Sequence, residues 1–164
     1  MNIRKSTLTD LPVLLDLYAQ ARAFMAQNGN ASQWGTNYPP QSVIQDDIQN
    51  ENSFVCEHEG RIIATFYFRI GEDETYQKIY DGSWLNEKPY GVVHRITSDG
   101  TVKGTASFCL NWAYSQCGNL KIDTHKDNHI MQHLLEKNGF TYCGIIYIGD
   151  GSERIAYQKK TCQP

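Results

Sequence analysis

The chain has 164 residues, 40% hydrophobic and 20% charged, and carries a formal net charge of −3. That length suits one domain, residues 1–164, with enough apolar content to build a core. The weak acidic balance supplies no basic field for a nucleic acid, and no apolar run approaches the ~20 residues that a membrane span needs.

Asn2 to Ser6 reads as a short edge strand. Thr9-Asp10 forms a helix-starting signal, Pro12 falls in the first turn, and Leu11, Leu14, Leu15, Tyr18 and Ala19 recur at helical spacing. The pattern ends at Ala26, before Asn28-Gly29-Asn30; Trp34 to Pro40 is loop, and Ser42 is placed to cap a second helix through Ile48. Phe54 to Glu57 and Arg61 to Ile70 read as strands joined at Glu59-Gly60. Gly71 to Asn86 is a long polar connection carrying Tyr76, Tyr80 and Trp84, and connections of that length are more often functional than short ones.

Tyr90 to Thr97 reads as a strand, Thr101 to Gln116 as a helix closed by Gly118, and Leu120 to Thr124 as a strand. His129 to Lys137 is a helix, and Phe140 to Ile148 turns at Gly149-Asp150-Gly151 into a last strand, Arg154 to Lys159. The order βααβββαβαββ predicts an α+β fold: a mixed, mostly antiparallel seven-stranded sheet flanked by about four helices.

The five cysteines, Cys56, Cys109, Cys117, Cys143 and Cys162, are odd in number and contain no Cys-x-x-Cys pair. A disulfide framework or a metal site is therefore not expected, and four of the five read as small core residues. The N-terminal Met1-Asn-Ile-Arg-Lys-Ser enters a strand pattern without a signal peptide, and a reducing, cytoplasmic location is expected.

Two helix starts carry the functional signal. Thr101-Val102-Lys103-Gly104-Thr105-Ala106-Ser107 is a small-residue turn opening a helix. A glycine there lets backbone approach an anion closely, and the N–H groups of a first helical turn bind phosphate. The second start is Leu120-Lys-Ile-Asp-Thr-His-Lys-Asp-Asn128, followed by Glu136-Lys-Asn-Gly-Phe140.

In element order and in these two stretches the chain resembles the GNAT superfamily of acyl-CoA-dependent N-acetyltransferases. The family turn Arg/Gln-x-x-Gly-x-Gly/Ala is matched by Gly104 and Ala106, whereas Thr101 departs from Arg or Gln. The position that often holds a tyrosine, seven residues after Asn128, holds Leu135. The resemblance implies acetyl-CoA as donor and an unidentified, small primary amine as acceptor, attacking directly in a ternary complex. It implies that the backbone of Ile96 and Thr97 meets the thioester and pantetheine. Val102, Lys103, Gly104, Thr105, Ala106 and Ser107 would meet the pyrophosphate, and Asn128 would hold the cofactor or simply cap its helix.

Acetyl transfer requires a neutral amine, hence a proton acceptor. Asp123 interrupts an apolar strand and fits that role, or else it caps the next helix or pairs with Lys121. His94 has an intrinsic pKa suited to proton transfer, but the preferred reading is a satisfied core or edge histidine. His125, two residues after Asp123, would share its strand face. With leucine at 135, Tyr142 or Tyr147 is a substitute source of the thiolate's proton. Phe24, Trp34, Tyr38, Trp84 and Tyr90 are candidates for the acceptor pocket or, singly, core and lid anchors. Asp46-Asp47 and Glu72-Asp73-Glu74 read by default as solvated acidic runs, with attraction of a cationic amine as the alternative. A non-catalytic acyl-CoA sensor of the same fold is the alternative that Leu135 favours. No nucleic acid or membrane partner is expected, and a homodimer is left open.

Overall fold

The computed structural model describes Met1–Thr161; Cys162 lies outside the described residues. Seven strands and four α-helices follow in the predicted order. They are β1 (Asn2–Lys5), α1 (Leu11–Gln27), α2 (Gln41–Gln49), β2 (Ser53–His58), β3 (Arg61–Ile70) and β4 (Gly91–Ser98). Then come α3 (Thr105–Cys117), β5 (Asn119–Thr124), α4 (His129–Lys137), β6 (Thr141–Tyr147) and β7 (Glu153–Lys160). The sheet order is β1-β2-β3-β4-β5-β7-β6. The β1–β2, β2–β3, β5–β7 and β6–β7 pairs are antiparallel, and β4–β5 is parallel. The parallel ladder is short, joining Gly91 to Leu120 and Val92 to Lys121. No helix is long and apolar enough to cross a membrane among the described residues.

The chain forms two compact units. The first holds Met1–Phe68 and His94–Cys109, and the second holds Arg69–Val93 and the chain from Leu110. In the first, Leu14, Tyr18, Ile44, Ile48 and Val55 form a buried cluster with Leu11, Leu15, Trp34 and Ile62 against it. Full burial of each aliphatic side chain there contributes roughly 1.5–3 kcal/mol. The buried stripe of α1 is Leu14, Leu17, Tyr18 and Ala21, so Leu17 takes the core place expected of Ala19, which is exposed. Two helix starts also differ from expectation. Asp10 makes no side-chain cap on α1; instead its Oδ2 accepts from the Thr7 N–H at 2.7 Å and its carboxylate pairs with Arg4 at 2.8 Å. Helix α2 begins one residue before Ser42, capped by Pro40, whose extended backbone ends the preceding loop.

In the second unit Tyr76, Tyr90, Val92, Ile146 and Ala156 form the buried cluster, with Ile79, Trp84 and Ile148 packed on it. The connection between β3 and β4 is therefore core-forming rather than a loose polar insertion. Its backbone pairs with β6: the Tyr80 N–H donates to the Ile145 carbonyl and the Ile145 N–H to the Tyr80 carbonyl, both at 2.8 Å.

Candidate functional site

In the first unit, the β4 residues from His94 to Ser98 are extended except at Arg95, whose φ is +52°. A non-glycine residue held there costs about 1–2 kcal/mol and bends the strand locally. Hydrogen bonds with three side chains hold it. The Tyr18 hydroxyl donates to the Arg95 carbonyl at 3.2 Å. Arg95 Nη2 and Nε donate to Asp47 Oδ2 at 2.6 and 3.2 Å, and Nη1 donates to the Tyr38 hydroxyl at 3.1 Å. The guanidinium also lies 4.9 Å from the Tyr67 ring centre. Asp47 is thus not part of a solvated acidic run: both side chains of the pair are 13% exposed. Burial pushes the Asp47 carboxyl above its ordinary value, and Arg95 opposes that.

Ile96 and Thr97 follow directly after this kink, Ile96 buried and Thr97 half-buried. His94 precedes it, its ring 5.5 Å from that of Tyr67.

The turn after β4 is tightly built. Asp99 Oδ1 accepts from the Thr101 N–H at 2.9 Å and from Thr101 Oγ1 at 2.7 Å, and Arg61 Nη2 donates to Thr101 Oγ1 at 2.9 Å. Threonine at the family's Arg/Gln position is therefore a structural residue of the turn. Thr105 Oγ1 donates to the Val102 carbonyl at 2.7 Å. Gly104 has φ +82°, and a side chain there would meet nothing within 4 Å. This left-handed residue delays the helix: α3 starts at Thr105 rather than Thr101, and its first intrahelical bond runs from the Phe108 N–H to the Gly104 carbonyl at 3.0 Å. The N–H groups of Thr105 and Ala106 precede that bond and so point out of the helix start. The open, exposed Gly104, two helix-start amides and the exposed Lys103 form a cradle suited to a diphosphate.

The first-unit aromatics differ in role. Trp34 packs edge-on to Tyr18 at 5.7 Å and to Tyr38 at 6.3 Å, on the core cluster. Tyr38 holds Arg95, and Phe24 is 53% exposed on α1.

In the second unit Asp123 sits on β5, and its Oδ2 accepts a 2.7 Å hydrogen bond from the Tyr76 hydroxyl. His125 lies just past the end of β5, so strand alternation no longer sets its face. Its Nδ1 accepts from the Asp127 N–H at 3.0 Å. A neutral ring accepting there carries its proton on Nε2, and burial followed by Arg154 lowers its pKa, so this ring is poorly suited to accept a proton at that nitrogen. Asn128 caps α4, its Oδ1 accepting from the Met131 N–H at 3.0 Å. Leu135 is 0% exposed, a core residue of α4. Tyr142 packs edge-on to Tyr157 and Tyr147 to Tyr80, each with an exposed side.

Trp84 and Tyr90 surround a lysine of the chain itself. Lys121 Nζ lies 4.1 Å from the Trp84 ring and 3.9 Å from the Tyr90 ring, and the residue is 4% exposed. Burial brings its pKa down to about 8. Tyr76 was legible as an aromatic in a long connection, whereas nothing in the local sequence marked Arg95.

No protein-family model matches the sequence, and no curated protein matches it. Solved structures do. A GNAT-family acetyltransferase from Streptococcus agalactiae 2603 is 31% identical, with a TM-score of 0.90 over 99% of this chain and 96% of that one. A GNAT-family acetyltransferase from Listeria monocytogenes 4b F2365 is 17% identical, with a TM-score of 0.71 over 98% and 94%. A ribosomal-protein-alanine N-acetyltransferase from Brucella melitensis is also 17% identical, with a TM-score of 0.67 over 98% and 100%. At 17% the likeness is one of fold.

Proposed function

The chain belongs to the GNAT family of acetyltransferases and is an acyltransferase, and from that premise we propose that it moves an acetyl group from acetyl-CoA to a small primary amine. One observation carries the choice of donor: the left-handed, unobstructed Gly104 at the head of α3. Phosphate oxygens approach backbone amides closely only where no side chain intervenes. In this reading Val102 to Ser107 hold the pyrophosphate, with Lys103 adding charge, and Asn128 adds a polar contact beside its capping role.

The amide groups of Ile96 and Thr97 polarise the thioester carbonyl. An oriented donor of this kind contributes about 3 kcal/mol to the transition state. The amine, freed of its proton by Asp123 directly or through water, attacks the carbonyl carbon. The carbon–nitrogen bond forms, the carbon–sulfur bond breaks, and the thiolate leaves and takes a proton from solvent. Solvent suffices because a thiol has a pKa of ~8.5. Phe24, Trp34 and Tyr38 are the aromatic side chains offered to the acceptor. Free thiols at Cys56, Cys109, Cys117 and Cys143 agree with the cytoplasmic location proposed.

The test is product detection. The protein is incubated with acetyl-CoA and a mixture of small amines, and masses 42 Da above each amine are sought, a shift of about one acetyl group by the stoichiometry above. A protein-dependent acetylamide lost in Asp123→Asn supports the reading. Tight acetyl-CoA binding with no acetylated amine across the panel argues for a sensor instead.

A further inference from the structure

The connection from Arg69 to Tyr90 is fixed at many points within the second unit. The Gly71 N–H donates to the Tyr90 carbonyl at 3.0 Å, and the Asp73 N–H donates to the Tyr90 hydroxyl at 3.0 Å. Asp73 Oδ1 accepts from the Thr75 N–H at 2.9 Å and starts the 3-10 turn Glu74–Tyr76. At the other end, the Leu85 N–H donates to Oε1 of the buried Gln158 at 2.8 Å, and Gln158 Nε2 donates to Asn119 Oδ1 at 2.7 Å. Between them Gly82 packs so closely that a Cβ would sit 1.9 Å from the Cys143 carbonyl oxygen. Such a segment is a scaffold, and its product is the placement of one side chain.

That side chain is Tyr76, 2% exposed. Its carbonyl accepts from Trp84 Nε1 at 2.9 Å, and its ring lies 5.2 Å from Trp84 and 6.4 Å from Tyr90. With backbone and ring so held, the hydroxyl has its 2.7 Å bond to Asp123. We propose that Tyr76 is a positioning residue for acyl transfer, its O–H fixing the orientation of the Asp123 carboxylate. The inference rests on Asp123 as the acceptor of the amine proton. Burial and the Asp123 charge raise the Tyr76 pKa well above the ordinary phenol value, so Tyr76 remains the donor across working pH. Packing and hydrogen bonds that lock a catalytic group's rotamer are what keep it within productive geometry.

Thiol release from acetyl-CoA, followed from pH 6 to 9, tests this with spermidine, lysine methyl ester and 2-phenylethylamine as probe amines, and with water as acceptor in their absence. The fastest of the four sets the assay. Tyr76→Phe keeps the ring and removes the donor. It is expected to lower kcat by about tenfold and leave KM for acetyl-CoA within about twofold. A fluorinated tyrosine at position 76, which restores the hydroxyl donor in the same shape, is expected to return kcat to within about twofold of wild type. Asp123→Asn run alongside separates the two failures. Loss of kcat in Asp123→Asn with wild-type kcat in Tyr76→Phe, or with no recovery in the fluorinated variant, overturns the role of Tyr76 alone. Unchanged rates in Asp123→Asn overturn the proton-acceptor reading and the inference with it.

Discussion

Asp47 on α2 grips Arg95 on β4 through two hydrogen bonds to one carboxylate oxygen, 2.6 Å from Nη2 and 3.2 Å from Nε. The partner it grips is the one residue of β4 with a left-handed backbone, and the residues that follow are Ile96 and Thr97. The pair therefore holds the kink that sets the run of backbone proposed to meet the thioester. Removing one member of a buried ion pair leaves the other uncompensated, at about 3–5 kcal/mol. Asp47→Asn is expected to destabilise the protein toward the low end of that range, because the amide oxygen still accepts from Arg95. Adding Arg95→Gly to it should recover part of the loss, since glycine removes the stranded charge and tolerates the positive φ. Urea unfolding of the single and double variants measures both.

Lys121 predicts a pH dependence with a definite sign. Its folded-state pKa is brought down to about 8 from the ordinary 10.5. Between those values the unfolded chain holds a proton that the folded protein does not, so stability rises with pH across that window. The penalty is fully present below about pH 8. Calorimetric scans at pH 7.5 and 9.5 are expected to show wild type gaining on Lys121→Met at the higher pH. Parallel curves for the two proteins contradict the assignment. Buried tyrosines titrate higher and in the opposite sense, which is why the comparison stops short of pH 10.

Asp10 gives the complementary acid limb. Arg4 first, and then the Thr7 backbone, hold its carboxyl below the ordinary 3.8 against the opposing effect of burial. The stabilisation is present above that value and is lost as pH falls through the folded-state pKa. Wild type is expected to lose stability below about pH 4 more steeply than Asp10→Asn, read by denaturant midpoints in acid.

Leu135 occupies the position where relatives often carry tyrosine, and here it is fully buried in α4. Leu135→Ala should cost about 2–5 kcal/mol through the cavity it leaves. Leu135→Tyr should cost about 1–3 kcal/mol through overpacking rather than adding a proton donor to the reaction. A Leu135→Tyr protein of wild-type stability and raised kcat would show that the site accommodates the family's acid after all.

The element order was legible because each strand and helix carries its own period and its own stop signal. The Gly104 turn was legible as a backbone break for the same local reason: a glycine among small residues marks a turn. Boundaries failed where one backbone angle decides them. Thr101 looked like a helix start, but the left-handed Gly104 forbids helix before Thr105, and Asp99 uses Thr101 to close the turn. The pairs around the candidate site were not legible. Asp47 is 48 residues from Arg95, and Tyr76 is 47 from Asp123, so no spacing rule joins them. Asp47 read as one of two solvated acids, and Trp84 and Tyr90 read as pocket walls rather than as the box around Lys121.

The account depends most on Gly104 facing a phosphate. Calorimetric titration of acetyl-CoA into wild type, Gly104→Ala and Gly104→Glu, each checked for folding by circular dichroism, tests it directly. Micromolar binding by wild type, a moderate loss in Gly104→Ala from backbone strain, and a loss of at least about a hundredfold in Gly104→Glu from added charge repulsion are predicted. Equal affinity in Gly104→Glu and wild type would contradict the placement of the donor on this turn.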